Sequence, residues 1–188
     1  MVAKNVLVTG RPGIGKTTAV VRAVEELKKH GLRVGGFISR EERKGGVRTG
    51  FVVIDLETSE EAYLARVGNG APRIGKYVVR VDELERVGVA AVKRALQNSQ
   101  VVIIDEIGPM ELLSQRFKEV VTEALNSSKP VVATIHVRAG ESPFGRSVLT
   151  RRDVVLLEVN LSNRALIHRE IVRHVLEYVS TYSEGRSS

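Results

Sequence analysis

The chain predicts an α/β protein: an open, mainly parallel sheet flanked by helices. Three observations carry that expectation. Strand-like apolar runs alternate with helix-like stretches along the 188 residues, which is the pattern of parallel sheets built from crossover connections. Val101-Val102-Ile103-Ile104 is an unbroken β-branched run, as a central strand reads when both its faces are covered. The octapeptide Gly10-Arg11-Pro12-Gly13-Ile14-Gly15-Lys16-Thr17 joins the apolar run Val6-Leu7-Val8 to a helix-like stretch. Sheets of this kind bind ligands at the carboxyl ends of their strands. The loops after Val8, Ile104, Thr134 and Val159 should therefore converge.

The elements follow in order. Val6–Val8 reads as a buried strand, and Thr17–His30 as a helix stopped by Gly31. Arg33–Ser39 and Phe51–Ile54 read as strands joined by a basic, glycine-bearing turn, a small β-hairpin insertion. Residues 57–76 are polar and carry Gly68, Gly70, Pro72 and Gly75, so they read as irregular. Tyr77–Val81 is a short strand. Asp82 is expected to cap a helix to about Asn98, with Leu84, Val87, Ala91 and Ala95 at helical spacing. After the 101–104 strand come a helix from about Glu111 to Asn126, a strand at Val131–Ile135 and a last strand at Val154–Val159. Ser162 then caps a final helix with Ile171, Val172, Val175, Leu176 and Val179 on its apolar side. No repeat or interdomain linker interrupts the pattern. One domain over residues 1–182 is expected, with a disordered tail at 183–188.

Composition bounds the function. Hydrophobic residues make up 43 % of the chain and cysteine is absent, which excludes disulfides and thiolate metal sites. No apolar run has the length of a membrane span. The first residues lead straight into a strand, which leaves no room for a signal peptide. A cytoplasmic protein is the expectation. Lys and Arg number 29 against 22 Asp and Glu, a formal net charge of +7. Nucleotides suffice as the attracted anion. A nucleic acid is the weaker reading, because the basic residues are scattered and aromatics reach only 4 %. A charge-rich surface of the thermophile kind explains the same numbers.

The octapeptide fits G-x-x-x-x-G-K-[ST], the phosphate-binding loop. Its glycines permit backbone with φ > 0 and leave room for phosphate oxygens. Successive N–H groups form a ring of donors, and the following helix presents its positive end. Lys16 brings a full charge, and Thr17 a hydroxyl for the Mg²⁺ that accompanies a nucleotide. Asp105 and Glu106 follow the buried 101–104 strand. Four apolar residues and then an acid is the Walker B pattern, which makes Thr17 and Asp105 the expected Mg²⁺ residues. Glu106 is placed to orient an attacking water and accept its proton. It favours hydrolysis over phosphoryl transfer to another acceptor. Lys16 and Glu106 are thus the expected catalytic pair, in a three-layer P-loop NTPase fold of RecA-like type.

Over nearly its whole length the chain resembles the THEP-type nucleoside-triphosphatases, small P-loop enzymes once described as nucleotide kinases. The resemblance rests on GRPGIGKTT, Gly36-Phe37, Arg43, Arg48-Thr49-Gly50-Phe51, Leu64–Val67, Gly75–Val79, Asn163-Arg164 and, most specifically, Asp105-Glu106-Ile107-Gly108-Pro109-Met110-Glu111-Leu112. It implies a slow, Mg²⁺-dependent enzyme of broad base specificity. ATP, GTP, CTP and UTP would be cleaved at the β–γ bond to a diphosphate and phosphate. It carries nucleotide contacts onto Gly10, Arg11, Pro12, Gly13, Ile14, Gly15, Lys16, Thr17 and Thr18, and onto Val101, Val102, Ile103, Ile104, Asp105, Glu106, Ile107 and Gly108. One departure is Ala133-Thr134-Ile135-His136-Val137, where the family commonly has a proline after the threonine and isoleucine. A nucleotide kinase and a nucleic-acid-coupled ATPase remain the alternatives, and a monomer is expected.

Other residues have two readings each. Thr134 either senses the γ-phosphate or bonds the backbone at a strand end. Asn163 and Arg164 either contact the base or simply start a helix. The four histidines read as surface or helix-face residues. An arginine acting on the β–γ bridge would come from Arg40, Arg43 and Arg48 in the hairpin, or from Arg138 and Arg146 after the Thr134 strand. The carboxyl-edge rule favours the second pair, and the resemblance favours the first group.

Overall fold

A computed structural model describes residues 2–184. Its nine strands form one sheet in the order β5-β6-β4-β3-β2-β7-β8-β1-β9. They are β1 (Asn5–Thr9), β2 (Val34–Lys44), β3 (Val47–Asp55), β4 (Glu61–Val67), β5 (Arg73–Ile74), β6 (Tyr77–Val79), β7 (Val101–Ile107), β8 (Val131–Ile135) and β9 (Val154–Glu158). The five strands β2-β7-β8-β1-β9 pair in parallel. The remaining pairings are antiparallel.

The parallel half follows from composition. Val6, Val8, Val101, Ile103 and Val132 face one side and pack on α1 (Lys16–Lys29) and α6 (Ile167–Glu184). Leu7, Val102, Ile104, Val131 and Ala133 face the other, against α3 (Ala90–Asn98) and α4 (Gln115–Asn126). Alternation of side-chain direction in strands that are apolar on both faces therefore makes three layers.

Close backbone approach fixes the neighbour of β7. Gly36 has φ +105, and a Cβ there would lie 2.0 Å from the Ile103 carbonyl oxygen. Only glycine lets β2 lie in register with β7, from Val34 opposite Val101 to Phe37 opposite Ile104. The next residues of β2 then run past the carboxyl edge of the parallel half.

Several expectations need correction. The insertion is larger than a hairpin: residues 57–76 contain β4 and β5, so the antiparallel half has four strands besides β2. The polar and glycine positions there lie at turns, while Ala62, Leu64 and Ala65 face the core. Asp82 is not a cap. It sits in the first turn of α2 (Val81–Glu83), which passes through a π-helical stretch at Leu84–Val89 into α3. Glu111 opens a 3₁₀ turn, and Ser114 caps α4 by accepting from the Phe117 N–H at 3.0 Å. A short helix α5 (Pro143–Leu149) was not anticipated. Ser162 lies in a turn, because Asn163 rather than Ser162 organises residues 158–163 and α6 begins at Ile167. That helix also extends through Ser183 and Glu184, into the segment read as tail, and residues 185–188 lie outside the described residues. Among the described residues no helix is long and apolar enough to cross a membrane.

Gly36→Ala should lower the unfolding free energy by more than about 2 kcal/mol, since it combines a strained φ with a backbone clash. Chemical denaturation at constant slope measures it.

Candidate functional site

The loop between β1 and α1 wraps the carboxyl end of the sheet. Gly10 has φ +149, and a Cβ there would meet the Val159 carbonyl oxygen at 2.7 Å and Ile14 at 2.9 Å. This contact seats the loop against the chain leaving β9. Gly15 precedes α1 with φ 119 and no side chain over the first helical N–H groups, which leaves them free to face an anion. The Lys16 ammonium turns back over the loop and donates to the Gly10 carbonyl at 2.9 Å.

Asp105 lies near the carboxyl end of β7 and is 1 % exposed. Its Oδ1 accepts from the hydroxyls of Thr134 at 2.6 Å and Thr17 at 3.2 Å, and its Oδ2 from the N–H of Ser39 at 3.0 Å and the Ser39 hydroxyl at 3.1 Å. Four donors from α1, β2 and β8 thus hold one carboxylate. Thr134 lines the cavity over this site, and its hydroxyl donates to Asp105 rather than to the backbone at its strand end. Ser39 escaped the sequence reading. Only the parallel register of β2 beside β7 brings it to Asp105.

Glu106 follows, and its Oε1 is buried with no hydrogen-bond partner in the structure. Burial pushes its carboxyl up to about 7, the Asp105 charge adds to this, and the Lys16 ammonium opposes it. Glu111 is 5 % exposed. Burial first, and Glu106 second, hold its carboxyl well above the usual range. The two side chains converge over Gly108, where a Cβ would lie 3.0 Å from Glu111 Oε2 and 3.4 Å from Glu106 Cδ. In the sequence Glu111 reads as an ordinary first-turn acid. Its burial comes from the 3₁₀ turn that folds it inward.

A cavity of about 670 Å³ opens over these groups. Pro12, Gly13, Gly15, Lys16, Thr17, Thr18, Asp105, Glu106 and Thr134 line one end. Arg40, Arg43, Arg48, Phe51, Leu64, Tyr77 and Met110, from the antiparallel half and the loop after β7, line the other. The arginines are already engaged: Arg40 with Glu61 at 2.9 Å, Arg43 and Arg48 with Glu41 at 2.7 and 2.8 Å, and Arg48 also with the Tyr77 hydroxyl at 3.0 Å. The carboxyl-edge argument for Arg138 and Arg146 does not hold. Neither lines the cavity. Arg138 pairs with Glu141 and Arg146 donates to the Gly140 carbonyl. The hairpin reaches the site because β2 itself overshoots the sheet edge.

Other expected contacts divide. Val101, Val102, Ile103 and Ile104 are 0 % exposed, as is Ile107. They are sealed between the two core layers and bring Asp105 and Glu106 to the edge without lining the cavity. Asn163 and Arg164 do not line it either. The Asn163 side chain accepts from the Asn160 N–H and donates to the Glu158 carbonyl, both at 2.8 Å, so its amide is committed to its own turn. Arg164 is exposed on the same rim. His136 is not a surface histidine. It lines the cavity, its ring Nδ1 accepts from the Arg138 N–H at 3.1 Å, and burial together with Lys16 and Arg138 lowers its pKa.

The residues suit a hard divalent cation. Asp105, Thr17, Thr134 and Ser39 present only oxygen donors at the point of charge. Among the described residues no group of three His, Asp or Glu side chains could hold a metal unaided. A cation here would be shared with substrate phosphates, as Mg²⁺ commonly is.

A phosphate-binding loop beside two acids on a parallel strand defines a P-loop nucleotide-hydrolase site. A family model described as NTPase matches residues 5–172, and the chain belongs to that NTPase family. It is 54 % identical over 96 % of its length to the whole of a protein from Thermofilum pendens named nucleoside-triphosphatase THEP1. It is 50 % identical to the protein of that name from Methanocaldococcus jannaschii, over 91 % of this chain and 96 % of that one. The crystal structure of THEP1 from the hyperthermophile Aquifex aeolicus superposes with a TM-score of 0.81 at 32 % identity, covering 91 % of this chain and 98 % of that one. The solution structure of a human cancer-related nucleoside triphosphatase gives 0.78 at 36 % identity, covering 91 % and 96 %.

Two predictions follow from this geometry. A general base with a raised pKa is active only when deprotonated, so turnover should climb as pH rises through about 7. Glu106→Gln should bind triphosphate normally, lose about a hundredfold or more in rate above pH 7, and show a flat profile that the wild type approaches at low pH. Stopped-flow phosphate release at pH 5.5–9 reads both. Among the arginines, Arg138→Ala and Arg146→Ala should turn over within about threefold of wild type, and one of the Arg40, Arg43 and Arg48 alanine variants should lose rate toward the roughly 10³-fold scale of an arginine finger. Parallel affinity measurements separate lost turnover from lost binding.

Proposed function

We propose that this chain catalyses slow, Mg²⁺-dependent hydrolysis of nucleoside triphosphates to diphosphate and phosphate, with broad base specificity. The observation that carries the reading is the Glu106 carboxyl: buried, unpartnered at Oε1, adjacent to Asp105 and facing the same cavity as the phosphate loop. Loop N–H groups and Lys16 hold the β- and γ-phosphates. Thr17 and Asp105 hold the Mg²⁺, which when bound offsets phosphate charge. Glu106 orients a water and takes its proton as the oxygen bonds to the γ-phosphorus. The bond from the γ-phosphorus to the β–γ bridging oxygen breaks, and the diphosphate leaves.

Broad base choice follows from the rim. Large discrimination needs polar groups that pair with a base edge, and Asn163, one of two groups placed for that, bonds its own turn. Arg164 can stack on any base face. The names of the relatives, nucleoside-triphosphatases, support a hydrolase of this kind. A monomer in the cytoplasm is the accompanying reading.

Incubation with ATP, GTP, CTP and UTP, with and without Mg²⁺, should give diphosphate and phosphate from all four, within about a thousandfold of one another. Lys16→Ala should abolish tight triphosphate binding by calorimetry. Wild-type affinity in that variant would remove the phosphate loop from the account.

A further inference from the structure

The cavity of about 670 Å³ is lined by two kinds of residue. One end is the phosphate loop. The other is apolar and aromatic. There Phe51 and Tyr77 pack edge to face at 5.2 Å, and the Arg48 guanidinium lies 5.1 Å from the Phe51 ring centre and 5.9 Å from that of Tyr77. Leu64 and Ile74 complete the wall.

In-line geometry says which end the nucleoside cannot use. Displacement at the γ-phosphorus brings the nucleophile in opposite the leaving diphosphate. Glu106 marks the nucleophile's side. Phe51, Leu64 and Tyr77 belong to β3, β4 and β6, which lie beyond β7 from β1 in the sheet, so Glu106 in β7 stands between them and the phosphate loop that follows β1. A triphosphate seated in the loop thus points its nucleoside away from Phe51 and Tyr77. A water molecule alone uses only a small part of what remains.

The charges at that end narrow the occupant. From the antiparallel half, Arg40, Arg43 and Arg48 line the cavity with one carboxylate, Glu41, while its other acids, Asp105, Glu106 and Glu111, come from β7 and the loop after it. Arg43 and Arg48 share that carboxylate, and Arg40 pairs with Glu61 outside the cavity wall. The cations outnumber the acid, and guanidinium forks suit phosphate oxygens. Aromatic and aliphatic walls suit a heteroaromatic ring.

Building on the nucleotide-hydrolase reading above, we propose that the aromatic end is a second binding site, for a nucleoside monophosphate. Its base would pack against Phe51 and Tyr77, and its phosphate would meet the hairpin arginines. The site lies on the attack side of the γ-phosphate, so its occupant borders the hydrolytic water.

The test uses the full chain in two steps. First, calorimetry with a non-hydrolysable triphosphate analogue and Mg²⁺ establishes that the loop is filled. Failure at this step refutes the hydrolase reading itself. AMP, CMP, GMP and UMP are then titrated into the loaded protein, with inorganic phosphate and the free nucleosides as separate arms. The expected result is one monophosphate bound per chain by at least one of the four. Phosphate alone and nucleoside alone should bind at least about tenfold more weakly, since each lacks one of the two complementary halves. Phe51→Ala should weaken monophosphate binding about tenfold, near the value of one ring stacked on a base. Ile74→Glu adds an acid to the wall and should do the same. Unchanged affinity for the triphosphate analogue shows that both variants are folded. The proposal is overturned if no monophosphate binds the loaded protein at millimolar concentration. It is equally overturned if inorganic phosphate binds as well as a monophosphate, or if neither folded variant weakens binding.

Discussion

The structure of the site depends on one buried carboxylate. Asp105 is 1 % exposed and accepts from Thr17, Thr134 and twice from Ser39. A carboxylate removed from water is costly unless its lone pairs are filled, and here donors from α1, β2 and β8 fill them. The same bonds fix three elements relative to one another. The phosphate loop is tied through Thr17, which lies beside Lys16 in the first turn of α1. The antiparallel half is tied through Ser39, at the point where β2 leaves the sheet edge. What reads as a metal site is also the fastening between the two halves of the sheet.

Glu106 shows the opposite balance. It lies one residue further on, and strand alternation turns it away from those donors. Its Oε1 has no partner, and burial raises its pKa to about 7. Adjacent acids on one strand therefore take different roles by environment alone. Asp105 is held by four donated hydrogen bonds, while Glu106 is placed where a proton can be taken up near neutrality. Folding bears a cost for this. A buried acid with a raised pKa favours the folded state below its unfolded value, and that contribution is lost as pH rises through about 7. Lys16 opposes the loss by favouring the carboxylate.

Much of this was legible in the sequence because it is local. The phosphate loop, the apolar run ending in Asp105-Glu106 and the alternation of strands and helices each occupy a few contiguous residues. The antiparallel half was only partly legible. β5 has only two residues, and polar turns carrying Gly68, Gly70 and Gly75 surround the seven-residue β4, so residues 57–76 taken together lack a clean period. Glu111 and Ser39 escaped for a different reason. Ser39 meets Asp105 only through the pairing of strands far apart in sequence, and Glu111 is buried by a 3₁₀ turn that no sequence period marks. Of the two arginine groups, the edge rule pointed to Arg138 and Arg146 and the resemblance to the hairpin; β2 also reaches that edge and carries Arg40 and Arg43 beyond it, and these line the cavity. The reading of Val101–Ile104 as contacts failed on burial, since a strand covered on both faces presents only its end.

The claim that Asp105 joins metal, phosphate loop and antiparallel half is tested most directly by titrating Mg²⁺ into Asp105→Asn in the presence of a non-hydrolysable triphosphate. Asparagine keeps the shape, but its amide nitrogen is a donor facing donors and it carries no charge. The account predicts that Mg²⁺ no longer strengthens triphosphate binding in this variant. A wild-type dependence of affinity on Mg²⁺ would contradict it.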